Sequence, residues 1–346
     1  MINKIDNNIN KNIFTIIIPV YNDEKRIDRC LNSLLTQNKY NFDVIIVNDG
    51  SIDNTSTHIL KYIDKNSDKL NIKYINKKIN AGVSKARNDA LELVKTKYVF
   101  FLDSDDYINN ETTEIYEELI NKQNLDLYSF NYNVVYSDIT KNCIYKSKYN
   151  SDKCFASDEY INELLMQKNG IYAHCCTKLY KNEIIQKNNI RFESDISFME
   201  DLIFNLKFAM LSKNIIHINN SLYNYVQSDN SLSKSNNEKM IFNFKIVSDK
   251  VYELLQEKNN IKKHIYEYES MYNRLVILAI IAVIKSDVSN DIKQKRIDNI
   301  FIIFDVKNKI KILEDNYYFK EKFKNITEII KSYTYKLNDL ITFLNG

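Results

Sequence analysis

The stretch Tyr98-Val-Phe-Phe-Leu-Asp103-Ser-Asp105-Asp106 carries the strongest structural signal in this chain. Its consecutive apolar residues predict a strand that is covered on both faces, and the strand stops at three carboxylates within four positions. Two carboxylates about 4 Å apart repel each other by about 1 kcal/mol in water and about 4 kcal/mol at a protein-like dielectric. A hard divalent cation would reverse the sign of that interaction. The alternative is a solvated, Asp-rich turn.

Length and composition exclude several classes of protein. With 346 residues, the chain can form one large domain or two modest ones. The 48 basic and 45 acidic residues leave a net charge of +3, so a nucleic-acid partner is not expected. The 5 cysteines include an adjacent pair and no C-x-x-C spacing, which argues against a disulfide framework or a zinc site and favours a reducing cytoplasm. The first residues lack the apolar core of an export signal.

Two further apolar strands also end in polar residues. Thr15 to Val20 is followed by Tyr21-Asn22-Asp23, and Asp43 to Val47 is followed by Asn48-Asp49-Gly50. Helical periodicity predicts helices between the strands, over about 27–35, 55–65 and 84–96, the last with Ser84 as its N-cap. Alternating strands and helices predict a parallel sheet, in which ligands bind beyond the carboxyl ends of the strands. The polar residues are therefore expected to meet at one edge of the sheet.

The second half of the chain has a different pattern. The elements expected there are a helix over 111–123, a half-buried strand over 128–136 with an antiparallel partner over 143–148, a helix capped by Ser157, and two strands over 215–218 and 222–226. From about residue 238 onward the periodicity is helical. The apolar run from Leu275 to Ile284 is half the length of a membrane span and predicts a buried helix.

Five short motifs resemble, in order and spacing, those of family 2 glycosyltransferases. They are Thr15 to Asn22, Val47 to Asp53, Asn80 to Asn88, Phe101 to Asp106, and Met199 to Asp201. The resemblance spans about residues 12–232 and implies the GT-A fold, a Rossmann-like mixed, mostly parallel α/β sheet flanked by helices. The expected organisation is a loose tail (1–12), a GT-A domain (13–235, with a nucleotide-binding half at 13–125 and an acceptor half at 126–235) and a helical C-terminal region (236–346).

The resemblance also implies a donor site for a UDP-sugar. Asp49 matches the family carboxylate that hydrogen-bonds the uracil, and Pro19, Tyr21 and Asn22 are expected to line the base and ribose. The remaining residues assigned to donor binding are Gly82, Arg87, Asp103 and Ser104. A surface arginine on a helix is an equal alternative for Arg87.

The catalytic assignments follow from the same resemblance. Asp103 and Asp105 match the D-x-D pair, with Asp103 facing the ribose and sugar and Asp105 binding Mn²⁺ or Mg²⁺ at the diphosphate. Asp201 matches the general base, with Glu200 beside it near the acceptor, although acids at a helix start also stabilise the helix dipole. The residues assigned to the acceptor or the lid are Asp106, Lys178, Tyr225, Gln227, Ser231 and Ser233. The segment Tyr223 to Gln227 lacks the basic residue that many relatives carry.

The sequence thus predicts a cytoplasmic, metal-dependent, inverting glycosyltransferase. It would move a hexosyl or N-acetylhexosaminyl group from a UDP-sugar to a hydroxyl of a glycan, lipid-linked or protein acceptor, in surface polysaccharide or glycoconjugate synthesis. Further expected partners are a second copy of the chain, through the helical tail, and the inner face of the membrane. Two alternatives stay open: a nucleotide-sugar-binding scaffold without turnover, and a nucleotidyltransferase. The latter typically has a Gly-rich phosphate loop, and the segment after the first strand lacks glycine.

Overall fold

The computed structural model describes residues 12–136, 143–145, 147–227, 238–257, 260–284 and 286–305. The predictions on the N-terminal tail before Asn12, on Ser231 and Ser233, and on the helical region after residue 305 lie outside the described residues. The described strands are β1 (Phe14–Val20), β2 (Phe42–Asn48), β3 (Asn71–Asn76), β4 (Tyr98–Phe101), β5 (Tyr107–Ile108), β6 (Leu127–Tyr136), β7 (Cys143–Tyr145), β8 (Lys153–Phe155), β9 (Lys178–Lys181) and β10 (Ile215–Gln227).

The helices follow the predicted alternation. They are α1 (Ile27–Leu35), α2 (Thr55–Asn66), α3 (Val83–Leu91), α4 (Thr112–Lys122), α5 (Ser157–Met166), α6 (Asn182–Lys187), α7 (Glu200–Ala209), α8 (Glu238–Glu257), α9 (Ile265–Ile284) and α10 (Asn290–Ile303), with a short 3₁₀ turn at Cys175–Thr177. Helices α8, α9 and α10 confirm the prediction of helical structure after residue 238 for the part of that region that the structure describes.

The strands form one mixed sheet in the order β3-β2-β1-β4-β9-β6-β10-β5. β1 is parallel to β2 and β4, and β2 is parallel to β3, so the carboxyl ends of these strands lie at one edge. β9 runs antiparallel to both β4 and β6, while β6 and β10 are parallel. β7 pairs antiparallel with β6, as the sequence predicted. The predicted fold class is confirmed.

Alternate residues of β1 face two different layers of the core. Ile16 and Ile18 pack in the layer that contains α1, α2 and α4. Ile17 packs in the opposite layer, which contains α3, α5 and α7 together with the C-terminal helices α8 to α10. The C-terminal helices therefore cover the same face of the sheet as α3 and α7. Both layers keep water from the central strands. Each buried isoleucine side chain contributes about 1.5–3 kcal/mol to the stability of the fold.

Two predicted helix caps are wrong. Helix α3 begins at Val83 because Gly82, with φ of +91°, forms the turn before it, so Ser84 lies inside the helix, which ends at Leu91 rather than at 96. Helix α5 begins at Ser157 itself, and the Ser157 hydroxyl donates to the carbonyl of Ala209 at 2.7 Å. The main-chain conformation of Gly82 sets the start of α3. At α5 the Glu159 side chain accepts from the N–H of Ala156 at 3.1 Å, so neither serine is the cap.

Two strand predictions also need correction. β6 is not half-buried over its first part, because Leu127 packs in the layer of α5 and α7, Tyr128 packs in the opposite layer, and residues 127–132 are all buried. The two strands expected at 215–218 and 222–226 form the single strand β10, which pairs with β6 along its length. The pairing is irregular between Ile218 and Tyr223, and this break explains the polar interruption in the sequence.

Helix α9 confirms the prediction of a buried helix over Leu275 to Ile284. Its Arg274 donates to the carbonyls of Met166 and Leu165, at 2.7 and 2.9 Å, which ties the C-terminal helices to α5. Among the helices in the described ranges, none combines the length and the hydrophobicity that a membrane crossing needs.

Candidate active site

The loops after β1 and β2 are joined at the carboxyl edge of the sheet. The backbone N–H of Asn22 donates to the Ser51 hydroxyl at 2.8 Å, and the N–H of Ile52 donates to Oδ1 of Asn22 at 2.9 Å. Asn22 adopts φ of +48°, a left-handed conformation that asparagine tolerates better than most residues. This arrangement leaves Tyr21 46% exposed beside the edge, whereas Pro19 is buried in β1.

The carboxylate of Asp49 connects β2 to the start of α3. It is buried, and its Oδ2 accepts hydrogen bonds from the N–H groups of Gly82 at 2.7 Å and Ala81 at 3.0 Å. Its Oδ1 lies 2.5 Å from Nζ of Lys77. The predicted contact of Asp49 with uracil stays a prediction, since the structure shows this carboxylate engaged by the protein itself.

The acidic loop after β4 contains one carboxylate with a structural position. Asp106 is buried, accepts a hydrogen bond from the Tyr223 hydroxyl at 2.5 Å and another from the N–H of Val226 at 2.7 Å. Burial and the neighbouring carboxylates of Asp105 and Asp103 raise the pKa of Asp106 well above its ordinary value. Asp106 thus attaches the end of β10 to the acidic loop.

The side chain of Asp105 is 36% exposed and faces Arg26. Nη1 of Arg26 lies 3.1 Å from Oδ2 of Asp105, and the same guanidinium contacts Asp23. Ser104 is turned toward Asp23 as well, donating to its Oδ2 at 2.5 Å. Burial and the neighbouring Asp103 carboxylate raise the pKa of Asp105 to about 6. Asp23 belongs to the polar stretch that is expected at this edge, whereas Arg26 belongs to no spacing that marks a site.

The donor set at Asp103 and Asp105 fits a hard divalent cation that takes its other ligands from phosphate. Mg²⁺ and Mn²⁺ are bound through one or two carboxylates together with substrate phosphates. Within the described residues, no group of three or more His, Cys, Asp or Glu side chains is arranged to hold a metal by itself. Burial, and after it the Asp103 carboxylate, raise the pKa of Asp105, and a cation at these oxygens would lower that pKa.

Arg87 lies at the centre of the site. It is 4% exposed, and its Nη1 donates to Glu200 Oε1 at 2.9 Å and to Asp201 Oδ1 at 3.0 Å. Its Nη2 donates to Asp103 Oδ1 at 2.9 Å. The guanidinium also lies over the ring of Phe192, 5.1 Å from the centroid. The buried guanidinium of Arg87 therefore joins Asp103 to the two acids at the start of α7.

The alternative of a solvated surface arginine at position 87 is wrong. Arg87 shares the buried face of α3 with Ala90 and Leu91, at the i, i+3 and i+4 spacing. That spacing is visible in the sequence and would have predicted a buried guanidinium, which must have carboxylate partners. The identity of those partners could not be read from the spacing.

Glu200 and Asp201 open helix α7. The preceding residue, Met199, has φ of +66°. Asp201 is 19% exposed, and its Oδ2 accepts a hydrogen bond from the N–H of Cys175 at 3.0 Å. Burial and the neighbouring Asp201 carboxylate raise the pKa of Glu200 to about 7. Both acids therefore pair with Arg87, in addition to any stabilisation of the helix dipole.

Lys178 is buried behind this pair of acids. Its Nζ donates to the carbonyls of Tyr172 and His174, each at 2.7 Å, and burial lowers its pKa to about 8. The lysine therefore supports the backbone segment whose Cys175 N–H contacts Asp201, and its contact with an acceptor stays a prediction. Tyr225 and Gln227 lie in the last residues of β10, and their role in a lid also stays a prediction.

Comparison with known proteins agrees with this architecture. Residues 15–187 match the family model described as Glycosyl transferase family 2. The chain is similar to glycosyltransferase GlyA of Streptococcus pneumoniae serotype 4, with 33% identity over 74% of this chain and 37% of the relative. It is also similar to the poly(ribitol-phosphate) beta-N-acetylglucosaminyltransferase TarS of Staphylococcus aureus, with 31% identity over 61% of this chain and 35% of the relative. The chain thus spans about a third of the length of these relatives.

Solved structures share the fold. The crystal structure of S. aureus TarS 1-349 in complex with UDP-GlcNAc has a TM-score of 0.57 at 21% identity, covering 92% of this chain and 78% of that one. A mannosyltransferase from Pyrobaculum calidifontis in complex with GDP-Man and Mn²⁺ has a TM-score of 0.54 at 14% identity, covering 85% and 86% of the two chains. The family model spans half of the chain and the sheet matches these structures, so the chain belongs to glycosyl transferase family 2 and has the GT-A fold.

Proposed function

We propose that this enzyme is a metal-dependent, inverting transferase that moves a sugar from a UDP-sugar to an acceptor hydroxyl. The observation that carries the proposal is the shared contact of Asp103 and Asp201 with Arg87. Two acids with different expected duties, one from the D-x-D loop and one from α7, lie on the same guanidinium. Such a pairing supports a donor site and a base site that face each other.

The donor half of the mechanism rests on Asp103 and Asp105, which would hold the divalent cation. When bound, the cation supplies charge neutralisation for the leaving diphosphate without a proton transfer. Tyr21, exposed beside the joined loops after β1 and β2, is the proposed contact for the base. The TarS structure with UDP-GlcNAc supports UDP as the nucleotide, whereas the mannosyltransferase with GDP-Man represents the alternative.

The acceptor half rests on Asp201. A general base must lie within hydrogen-bond reach of the hydroxyl proton that it removes. One oxygen of Asp201 accepts from Cys175 N–H and the other from Arg87, so the carboxylate is held in one orientation. An inverting displacement needs the base opposite the leaving group, and Asp201 comes from a different segment than the D-x-D loop.

The acceptor is proposed to be a glycan, a lipid-linked glycan or a protein, in synthesis of surface polysaccharide or glycoconjugates. The names of the relatives, which include poly(ribitol-phosphate) glycosyltransferases, support a polymer of the cell surface. A hexosyl or N-acetylhexosaminyl group is the proposed cargo. A cytoplasmic location, contact with the inner face of the membrane and assembly through the C-terminal helices remain proposals from the sequence.

The test is UDP release by the purified protein from a panel of UDP-sugars, with Mn²⁺ and then with EDTA. We expect release from one sugar, loss of release with EDTA, and loss in Asp105→Asn. Asp64→Asn, on the exposed side of α2, is the matched control and should behave as the wild type. Release that is unaffected by EDTA and by Asp105→Asn would remove the metal assignment. Binding of UDP without turnover of any donor, with and without candidate acceptors, would favour the scaffold alternative.

A further inference from the structure

Helix α8 holds the segment that leads into Glu200 and Asp201. Asn243 of α8 is 7% exposed, and its Nδ2 donates to the Ser197 hydroxyl at 2.6 Å. The backbone N–H of Ser197 donates in return to Oδ1 of Asn243 at 3.3 Å. A single buried amide therefore contacts both the side chain and the main chain of a residue that lies a few positions before the acids.

A second contact lies two helical turns further along α8. Nζ of Lys250 is 3.1 Å from Oε2 of Glu193 and 3.4 Å from Oδ2 of Asp195. Glu193 also pairs with Lys207 of α7. Residues 243 and 250 are seven positions apart, so they lie on the same face of a helix with 3.6 residues per turn. That face of α8 contacts both ends of the segment 193–197.

The segment 193–197 leads into a strained residue, Met199. Phe198 packs edge-on against Phe244 of α8, with ring centroids 5.6 Å apart. The next residue, Met199, has φ of +66°, which costs a residue other than glycine about 1–3 kcal/mol and persists only where surrounding contacts enforce it. The contacts from Asn243 and Phe244 come directly before Met199, so they are placed to enforce that conformation and the direction in which α7 starts.

We propose that α8 is a positioning element of the catalytic site, and that Asn243 and Lys250 are the residues through which it acts. They hold the segment 193–199 so that Asp201 keeps its place between Arg87 and the N–H of Cys175. The inference rests on the proposed function of Asp201 as the base. It assigns the C-terminal helices a role in catalysis, although neither Asn243 nor Lys250 contacts a reacting atom.

The test compares substitutions on the same helix. Asn243→Leu and Lys250→Met should lower kcat by about 10- to 100-fold, because a misplacement of about 1 Å is enough for such a loss. Donor KM and UDP affinity by calorimetry should change by less than about twofold, since the donor site lies on β1, β2 and β4. Lys250→Arg preserves the ion pairs and should retain most of kcat. Lys245→Met is the matched control, since Lys245 pairs with Asp249 on its own helix.

A purely structural role would lower the folded fraction and leave kcat per folded molecule unchanged, and that result would overturn the proposal. A second measurement does not depend on turnover. Backbone amide exchange of residues 197–203 should accelerate at least about tenfold in Asn243→Leu and stay at the wild-type rate in Lys245→Met. Unchanged exchange would also overturn the proposal. If Asp201→Asn keeps the wild-type turnover, then the base assignment fails. Accelerated amide exchange in Asn243→Leu would still show that α8 holds the segment.

Discussion

Nη1 of Arg87 lies 3.0 Å from Oδ1 of Asp201, although the two residues are 114 positions apart. The same guanidinium contacts Asp103 through Nη2. Because the cation is buried, its position depends on these carboxylates, and their position depends on it. Changes at Arg87 should therefore affect the donor side and the base side of the site together.

Arg87→Lys keeps the charge and removes the planar fork. A lysine cannot donate to carboxylates on two sides in the same geometry, so we expect kcat to fall by at least about tenfold and the free energy of unfolding to fall by about 1–3 kcal/mol. Steady-state kinetics and urea unfolding check this. Lys85→Gln, an exposed position on the same helix, should change stability by less than about 0.5 kcal/mol. Wild-type kinetics in Arg87→Lys would show that the fork is not needed.

Asp201→Asn should separate binding from turnover. The substitution keeps the shape of the side chain and its contact with Cys175 N–H, while it removes the proposed base. We expect kcat to fall by about 10²- to 10⁴-fold, with UDP affinity by calorimetry within about twofold of the wild type. If UDP affinity falls as much as kcat, then Asp201 has a structural role.

The pKa of Glu200, raised to about 7, makes stability depend on pH. Its ordinary value is 4.5, so between about pH 4.5 and 7 the folded state binds more protons at this site than the unfolded state. Stability therefore falls as pH rises through that interval and levels off above it. Glu200→Gln lacks this titration, so the wild type should lose about 1–3 kcal/mol relative to the variant between pH 4.5 and 8. Parallel pH profiles from urea unfolding would contradict this prediction.

Two glycines at the site provide a matched comparison. A Cβ at Gly50, which has φ of +76°, would lie 2.6 Å from the backbone nitrogen of Asn80, whereas at Gly82 it would meet no described atom within 4 Å. Gly82→Ala should cost about 1–3 kcal/mol from the backbone alone, because φ of 91° with ψ of 157° is a conformation essentially restricted to glycine. Gly50→Ala should cost more and weaken UDP binding, because the loops after β2 and β3 must separate. Equal losses in the two variants would show that the loops move apart readily.

Arg26 should compete with a cation at Asp105. Its guanidinium lies on Oδ2 of Asp105, and the pair is partly exposed, so the competition is worth at most about 1 kcal/mol. Arg26→Gln should therefore bind Mn²⁺, in the presence of UDP, up to about fivefold more tightly, as measured by electron paramagnetic resonance. Arg29→Gln is the control, since Arg29 contacts the backbone carbonyl of Asp105 and not the carboxylate at which the cation would bind. Equal Mn²⁺ affinity in Arg26→Gln and the wild type would contradict the competition.

The elements of the nucleotide-binding half could be predicted from local patterns. The apolar runs at β1, β2 and β4 and the helical spacing at α1 and α2 depend on residues that are neighbours in the chain. The errors arose where distant contacts override local preference. Ser157 was expected to cap α5, but its hydroxyl contacts Ala209. β6 was expected to be half-buried, but the two core layers cover both of its faces.

The sequence by itself determined the alternation of strands and helices, the edge of the sheet at which Asp49 and Asp103 both lie, and the family, because these properties follow from periodicity and short motifs. Only the tertiary structure decided that Arg87 joins Asp103 to Asp201, and that α8 holds the segment before Met199. The physical reason is that a buried charge or amide takes whichever partner packing brings within about 3 Å. Packing between segments far apart in the chain leaves no local pattern in the sequence.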